Sequence, residues 1–200
     1  MPSFDALPPR LADQARFLVE MDKLKGVLRR TSPIGQDRRE NSAEHSWQVV
    51  LLAITLAEHS AEPRDMLRVL KMLAIHDAVE IDDGATCHYA KASDPDLAAK
   101  EPAAAVRVFG LLPEDQAAEF LALWEEFEAK QTPESRFAAA VDRVVAFLMN
   151  AHNQGGTWAE YRLSAEQVRA KNQDIPRGAP AIWDLAEVLV EFGLENGYLR

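Results

Sequence analysis

Histidine and aspartate side chains are spaced along this chain in a pattern suited to binding a metal ion. His45 stands alone, the pair His76-Asp77 follows, and Asp142 lies much further on. Neutral imidazole and carboxylate groups are ligands for borderline and hard divalent ions, whereas a structural zinc finger would be rich in cysteine. We therefore expect these four residues to bind one divalent ion, which by ligand type is Mn²⁺, Co²⁺, Fe²⁺, Mg²⁺ or Zn²⁺.

The residues on either side of these four candidates determine how specific the metal-binding pattern is. A His-Asp pair alone is weak support, because successive residues of a helix point about 100° apart and such pairs occur by chance. However, His76 and Asp142 both lie in apolar segments, where an ionisable side chain is unfavourable unless it is paired or metal-bound. His88 is a further candidate ligand, whereas His59 and His152 lie too far along their predicted helices to reach the ion.

Glu80 is the candidate catalytic residue. It follows Asp77 closely enough to share one face of a helix. Hydrolysis by a metal-activated water needs a group that gives or takes a proton, and we expect Glu80 to be this acid or base. The alternative is a supporting role, as a hydrogen-bond partner of a metal ligand or as a charge at the helix end.

The loop before His45 is rich in arginine, which is unusual in an acidic chain: Arg29, Arg30, Arg38 and Arg39. The planar guanidinium group suits bidentate binding of phosphate. We expect at least one of these arginines to bind the phosphate of a substrate, with Arg30 and Arg39 as the candidates. In the alternative, the loop is solvated and its arginines form salt bridges with Glu40 and Glu44.

The composition limits the partners of the protein. A net charge of −10 argues against DNA or RNA as a partner but allows a small anionic substrate. The hydrophobic share of 48% and the charged share of 27% are typical of a globular chain. We find neither a secretion signal nor an apolar run of membrane-helix length. With Cys87 as its single cysteine, the chain is expected to be a cytoplasmic protein that does not bind membranes.

Apolar residues recur with helical periodicity throughout, and no segment alternates with period two for long enough to predict a strand. We predict an all-α, single-domain bundle over residues 1–200, with the metal-binding helices at about 43–153 and the closing helices at about 160–197. The segment from Ala43 to Ser60 is apolar on nearly every side, which predicts a helix in the centre of the bundle, with Ser42 as its N-cap.

Three segments carry a resemblance to a known family. They are Leu24-Lys25 with Arg29-Arg30 after it, Arg39-Glu40-Asn41-x-Ala43-Glu44-His45-Ser46, and His76-Asp77-x-x-Glu80. Through them, nearly the whole chain resembles the HD-domain metal-dependent phosphohydrolases, and among these the compact 5′-deoxynucleotidase-like proteins. The resemblance implies a dimeric, all-helical enzyme of the HD-domain type that dephosphorylates deoxynucleoside 5′-monophosphates. It also implies metal ligation by His45, His76, Asp77 and Asp142, a catalytic role for Glu80, and a phosphate contact near Arg30.

Two positions depart from the family pattern. The family commonly has Gly-Asp after the His-Asp-x-x-Glu segment, where this chain has Gly84-Ala85. Asp82 or Asp83 is an alternative source of that carboxylate. Thr31 stands where the bacterial nucleotidases have a tryptophan near the substrate. Both departures concern the substrate rather than the metal.

Our leading hypothesis is a phosphohydrolase that cleaves a small phosphomonoester, a (deoxy)nucleoside 5′-monophosphate, through a metal-activated water. The enzyme is expected to be a homodimer. The missing carboxylate at Ala85 motivates one alternative, a non-catalytic, metal-bearing nucleotide sensor. A second alternative is an HD-fold oxygenase, which would need a second iron and more histidine ligands than the sequence offers.

Overall fold

The chain folds as a bundle of helices. The structure, a computed structural model, describes residues 3–85 and 95–200. Over those ranges the β-type pairing is limited to an isolated bridge between Leu28 and Asn41. The all-α prediction is therefore confirmed. Among the described helices, none combines the length and the apolar character that crossing a membrane requires.

The described helices follow one another with short connections. In chain order they are α1 (Pro9–Met21), α2 (Ser42–Thr55), α3 (Met66–Ile75), α4 (Glu80–Asp83), α5 (Pro95–Phe109), α6 (Glu114–Ala129), α7 (Pro133–His152), α8 (Gly156–Glu160), α9 (Ala165–Lys171), α10 (Ile175–Gly178) and α11 (Pro180–Glu195). Short 3₁₀ helices span Asp22–Gly26 and Ala57–His59.

Helix α7 is the centre of the bundle. It packs against α2, α3, α6, α10 and α11, and most of its apolar side chains are buried. Its first turn is fixed by Thr132, whose side chain accepts a hydrogen bond from the amide of Ser135, and by Pro133 at the first helical position. A long central helix places Asp142, near its middle, in the interior of the protein.

Helix α2 is not buried on all sides. Trp47, Leu51 and Ile54, which share one face of the helix, are 66%, 46% and 56% exposed. The opposite face buries His45, Val49 and neighbouring residues. The prediction of a fully buried helix is therefore wrong, because an apolar pattern does not reveal which apolar face lacks a neighbour within the chain.

The segment before α2 folds back on itself. Arg29 donates a backbone hydrogen bond to the carbonyl of Glu40, and the Glu40 amide donates to Thr31. This pairing brings Arg29 and Glu40 to the start of α2, beside His45. The N-cap is Asn41, whose side chain forms a capping box with Glu44, and not the predicted Ser42.

Helix α3 ends at Ile75, one residue before His76. Residues 76–79 form a turn, and α4 begins at Glu80. The sequence predicted one helix that carried His76, Asp77 and Glu80 together. The structure interrupts it with a turn that directs His76 and Asp77 towards α7.

Candidate metal centre

Three side chains from different parts of the chain converge in the interior of the bundle. His45 from α2, His76 from the end of α3 and Asp142 from α7 offer ligand atoms that all lie within 4.8 Å of one another. Asp142 Oδ1 is 3.0 Å from His45 Nε2 and 3.6 Å from His76 Nε2. Both imidazoles are buried. The cluster is a candidate metal site.

Asp77 lies against the same cluster. Its Oδ1 is 3.2 Å from His76 Nε2, and its Oδ2 is 3.8 Å from His45 Nε2. Oδ2 also accepts a hydrogen bond of 2.5 Å from Arg29 Nη1. The structure thus brings all four predicted ligands together, although Asp77 shares its carboxylate with an arginine.

The chemistry of these donor groups fits a divalent ion. The Nδ1 of His76 donates to the carbonyl oxygen of Leu73 at 2.9 Å, so that Nε2 is the nitrogen that can bind a metal ion, which replaces its proton. That buried Nε2 makes no hydrogen bond of good geometry with any described residue. It faces the carboxylates of Asp77 and Asp142, and a ring nitrogen beside two carboxylates is a favourable site for a cation, either a proton or a metal ion.

The charges of the cluster also favour a cation. Burial alone would lower the pKa of His76, but the carboxylates of Asp77 and Asp142 raise it to about 9. Burial would raise the pKa of Asp142, but the hydrogen bond to His45 and the nearby imidazoles of His45 and His76 hold that pKa well below its ordinary value. The two carboxylates therefore stay ionised and attract positive charge.

Glu40 supports His45 from the side away from Asp142. Its carboxylate is 1% exposed, and its Oε2 lies 3.7 Å from His45 Nδ1. The same oxygen accepts a hydrogen bond from Thr31 and lies 3.5 Å from Arg29 Nε. A carboxylate beside Nδ1 favours the tautomer whose Nε2 carries the lone pair, and this is the nitrogen that faces the cluster.

Neutralising Glu40 should therefore weaken metal binding without unfolding the protein. For Glu40→Gln we expect the affinity for Mn²⁺ or Co²⁺ to fall about 10- to 100-fold, the range seen when a partner of a metal-binding histidine is lost. Isothermal titration of metal-free protein measures this. Glu44→Gln is the matched control, because Glu44 is bound to Arg38 outside the cluster. Equal affinities for Glu40→Gln and the control would contradict the role given to Glu40.

Glu80 lies at the edge of the cluster. Its Oε2 accepts a hydrogen bond of 2.6 Å from the Ser42 hydroxyl and lies 3.6 Å from Arg29 Nη1. Burial and the charge of Asp77 raise the pKa of Glu80 to about 7, against the lowering effect of Arg29. A carboxyl group that titrates near neutral pH can both give and take a proton.

The raised pKa of Glu80 predicts a pH-dependent stability for the metal-free protein. Between the ordinary pKa of 4.5 and the raised value of about 7, the folded state binds more protons than the unfolded state. The free energy of unfolding should therefore fall as the pH rises through this interval, by on the order of 3 kcal/mol for a shift of this size.

Urea unfolding of chelator-treated protein at several pH values between 4.5 and 8 tests this prediction. Glu80→Gln, which carries no titrating carboxyl, should lose most of the fall in that interval. A wild-type protein that becomes more stable over the same interval, or a variant with an unchanged pH profile, would contradict the environment described for Glu80.

The loop arginines occupy different positions from those expected. Arg30 is exposed, and Arg39 lies 3.1 Å from Glu160 and donates to the carbonyl of Arg30. Arg38 binds Glu44, as the alternative of loop salt bridges anticipated. Neither Arg30 nor Arg39 reaches the cluster, and their binding of phosphate stays a prediction that these contacts do not favour.

Arg29 is the loop arginine that the structure places in the cluster. Besides Asp77 and Glu80, it faces Glu40, and these carboxylates raise its pKa against the effect of burial. Arg29 and Arg30 could not be distinguished by sequence, because neighbours in an extended segment point to opposite sides and the spacing does not show which side faces the cluster. The backbone pairing between Arg29 and Glu40 decides the orientation.

A cavity of about 380 Å³ lies over the cluster. His76, Asp77 and Asp142 line one side of it, with Arg29 and Glu80 next to them. Aromatic side chains also line it: Phe127, Phe147 and Trp158. The candidate metal ligands can thus be reached by a small molecule, which a purely structural metal site would not require.

The remaining candidates are outside the cluster. His59 and His152 are exposed, and His152 Nδ1 donates to the carbonyl of Leu148. Asp82, an alternative for the carboxylate missing at Ala85, binds Arg107 through both oxygens. His88 lies outside the described residues.

Comparison with known proteins agrees with this geometry. The sequence pattern of the HD domain matches residues 21–183. The protein called 5′-deoxynucleotidase HDDC2 from Danio rerio is 26% identical over 140 residues, which cover 68% of each chain. Its namesake from Homo sapiens is 25% identical over 134 residues, and the matched part spans 64% of each chain, slightly less than two thirds of the relative.

Solved structures show a similar architecture. A protein from Magnetospirillum magnetotacticum MS-1, described as a predicted metal-dependent phosphohydrolase, is 44% identical, with a TM-score of 0.89 and 96% of each chain covered. A protein from Pyrococcus horikoshii OT3 shares the fold at 18% identity, with a TM-score of 0.64, over 89% of this chain and 99% of the other.

Proposed function

Because the chain belongs to the HD-domain family, whose members include metal-dependent phosphohydrolases, we propose that it hydrolyses the phosphomonoester of a (deoxy)nucleoside 5′-monophosphate. The observation that carries the proposal is the buried group of His45, His76 and Asp142, two of which line a cavity large enough for a small molecule. The names of the HDDC2 relatives support the nucleotide as substrate class.

Under this proposal His45, His76, Asp77 and Asp142 hold one divalent ion. Such an ion polarises a phosphoryl oxygen and lowers the pKa of water. Glu40 keeps His45 in the tautomer that presents Nε2. Which of the five divalent ions expected from the ligand types is the natural one is left to metal analysis.

Glu80 is proposed to move the proton. At a pKa of about 7 its carboxyl group exists in both protonation states near neutral pH. Ser42 fixes one of its oxygens by a hydrogen bond, so that the other can face the cavity. Arg29 holds Asp77 and Glu80 in place and is the loop arginine that lines the cavity over the cluster, which makes it a better candidate for contact with a phosphate than Arg30 or Arg39.

Steady-state release of phosphate from a panel of nucleotides tests the proposal. We expect turnover of nucleoside 5′-monophosphates that depends on added Mn²⁺ or Co²⁺. Tight nucleotide binding without turnover with any metal would favour the nucleotide sensor that Ala85 suggests. Substrate-dependent oxygen consumption by an iron-loaded protein would favour an oxygenase.

We also propose that the enzyme is a cytoplasmic homodimer that uses the exposed face of α2. Trp47, Leu51 and Ile54 form an apolar stripe on that face, and such a stripe is unfavourable in water unless a partner covers it. Trp47→Glu should convert a dimer to a monomer, as measured by light scattering. Leu67→Glu, an equally exposed position on α3, is the control. A wild-type monomer at micromolar concentration would contradict the dimer.

A further inference from the structure

A second cavity of about 410 Å³ adjoins the cavity over the cluster. The two share four lining residues, three of which are cationic: Lys130, Arg143, Lys171 and Asn172. Helix α7 passes under both. Its residues from 136 to 143 line the second cavity, and those from 142 to 147 line the first. At 1.5 Å per residue, the middles of these two stretches of α7 lie about 7.5 Å apart along the helix axis.

The two cavities differ in charge. The cavity over the cluster has several carboxylates in its lining: Asp77, Glu80, Glu101, Glu128 and Asp142. Among the described residues that line the second cavity, Asp174 is the sole carboxylate. The cations of that second lining are Lys130, Arg136, Arg143, Lys171 and Arg177. Arg136, Arg143 and Arg177 lie in ion pairs with Glu62, Asp142 and Asp174. The charges that favour an anionic ligand here are therefore those of Lys130 and Lys171.

Lys130 stands at a position where its residue type is unexpected. It is the C-cap of α6 and has φ 53° and ψ 38°, the left-handed conformation that glycine or asparagine adopts most easily. A lysine is less favourable in this conformation than glycine or asparagine, and either of those would end the helix equally well. Its side chain lines both cavities, as does that of Lys171 at the end of α9.

We infer that this second cavity, entered past Lys130 and Lys171, binds a second anionic group of the substrate. The inference rests on the proposed function, since the first phosphate is taken to lie at the metal cluster. It names the substrate class more narrowly: a phosphomonoester with a second phosphate on the far side of a sugar ring, of which a nucleoside 3′,5′-bisphosphate is the simplest example.

The separation of the cavities selects this class over a nucleoside diphosphate. Two phosphates joined by one oxygen lie too close together to occupy both cavities, whereas a sugar ring between them separates them by several ångströms, as the offset of about 7.5 Å between the two lining stretches of α7 requires. Hydrolysis would break the bond between phosphorus and the 5′ oxygen. Water supplies a hydroxyl to phosphorus and a proton to the leaving oxygen, which gives inorganic phosphate and a nucleoside 3′-monophosphate.

Binding and turnover of paired nucleotides test the inference. We would measure adenosine 3′,5′-bisphosphate and adenosine 5′-monophosphate with the metal-loaded wild type and with the double variant Lys130→Asn, Lys171→Gln. Asparagine suits the left-handed conformation, so this change removes the charge without straining the backbone. Lys25→Gln, an exposed lysine elsewhere, is the control. Calorimetry with the slow variant Glu80→Gln gives affinities independently of turnover.

We expect the wild type to bind the bisphosphate about tenfold or more tightly than the monophosphate, as one charge-assisted hydrogen bond would provide. The double variant should lose this preference, measured as the ratio of the two affinities, because both lysines also line the first cavity and the affinity for the monophosphate alone is not the readout. The inference is overturned if the wild type shows no preference, or if the double variant weakens both nucleotides equally. If neither nucleotide is hydrolysed but the preference in binding persists, the proposed function fails and the subsite stands.

Discussion

Asp142→Ala should leave a folded protein that neither retains the divalent ion nor hydrolyses phosphomonoesters. One oxygen of Asp142 lies close to both imidazoles, 3.0 Å from His45 Nε2 and 3.6 Å from His76 Nε2. The substitution removes one metal ligand and one negative charge from the cluster. Because a bound metal ion contributes several kcal/mol to phosphoryl transfer, we expect the rate to fall about a thousandfold or more.

Alanine is tolerated at this position for structural reasons, since it is the residue that best favours a helix interior. Metal analysis of the purified variant, with circular dichroism to check its folding, separates metal loss from unfolding. Asp184→Ala, at an exposed position of α11, is the matched control and should behave as the wild type. A variant at Asp142 that keeps both stoichiometric metal and activity would contradict the assigned ligand set.

Glu80→Gln should show the opposite combination, with the metal kept and the rate lost. Glutamine preserves the size of the side chain and can still bind Ser42, but it cannot exchange a proton near neutral pH. Removal of a general acid or base slows a reaction by roughly 10²- to 10⁴-fold. We expect a loss of kcat in this range with little change in KM or in metal content.

The pH profile separates this role from a structural one. The wild-type rate should show an inflection from the carboxyl group of Glu80, at a pH below the pKa of about 7 of the metal-free protein because a bound cation favours the charged form, and the residual rate of the variant should lack this inflection. Glu125→Gln, on the exposed surface of α6, is the control. If Glu80→Gln loses its metal instead, Glu80 is a ligand or orients one, and its role in proton transfer is wrong.

Much of the fold could be predicted from the periodicity of apolar residues. Helix α7 is an example, since Thr132-Pro133 marks its start and its apolar residues recur at helical spacing. Exposure was harder to predict. Trp47 lies in an apolar segment like any core residue, and whether a neighbour covers it depends on contacts that no local pattern encodes.

The candidate site could be predicted in its residue types more than in its supporting contacts. His45, His76 and Asp142 stood out because ionisable residues amid apolar ones require a partner. Ser42 was expected to cap α2, but Asn41 takes that position and the Ser42 hydroxyl binds Glu80 instead. Which residue caps a helix decides which neighbouring side chain is free for other contacts, and spacing alone does not distinguish Asn41 from Ser42 as the cap.

The positions of Arg29 and Glu40 in the loop before α2 could not be predicted from the sequence either. Both were visible as charged residues near His45, and a buried carboxylate next to a ligand histidine is a recurrent feature of metal sites. Their positions depend on the backbone pairing between them. That pairing is too short to have a sequence pattern of its own.

The most direct test of the account is the restoration of activity to metal-free protein. The chain is stripped with a chelator, Mn²⁺ or Co²⁺ is titrated back, and phosphate release from deoxynucleoside 5′-monophosphates is followed. The account predicts no activity without metal and a linear rise that saturates at one ion per chain, with no rise for Asp142→Ala. Two results would contradict the account. One is phosphate release by the fully stripped wild type, and the other is wild-type protein saturated with metal that hydrolyses none of the nucleotides.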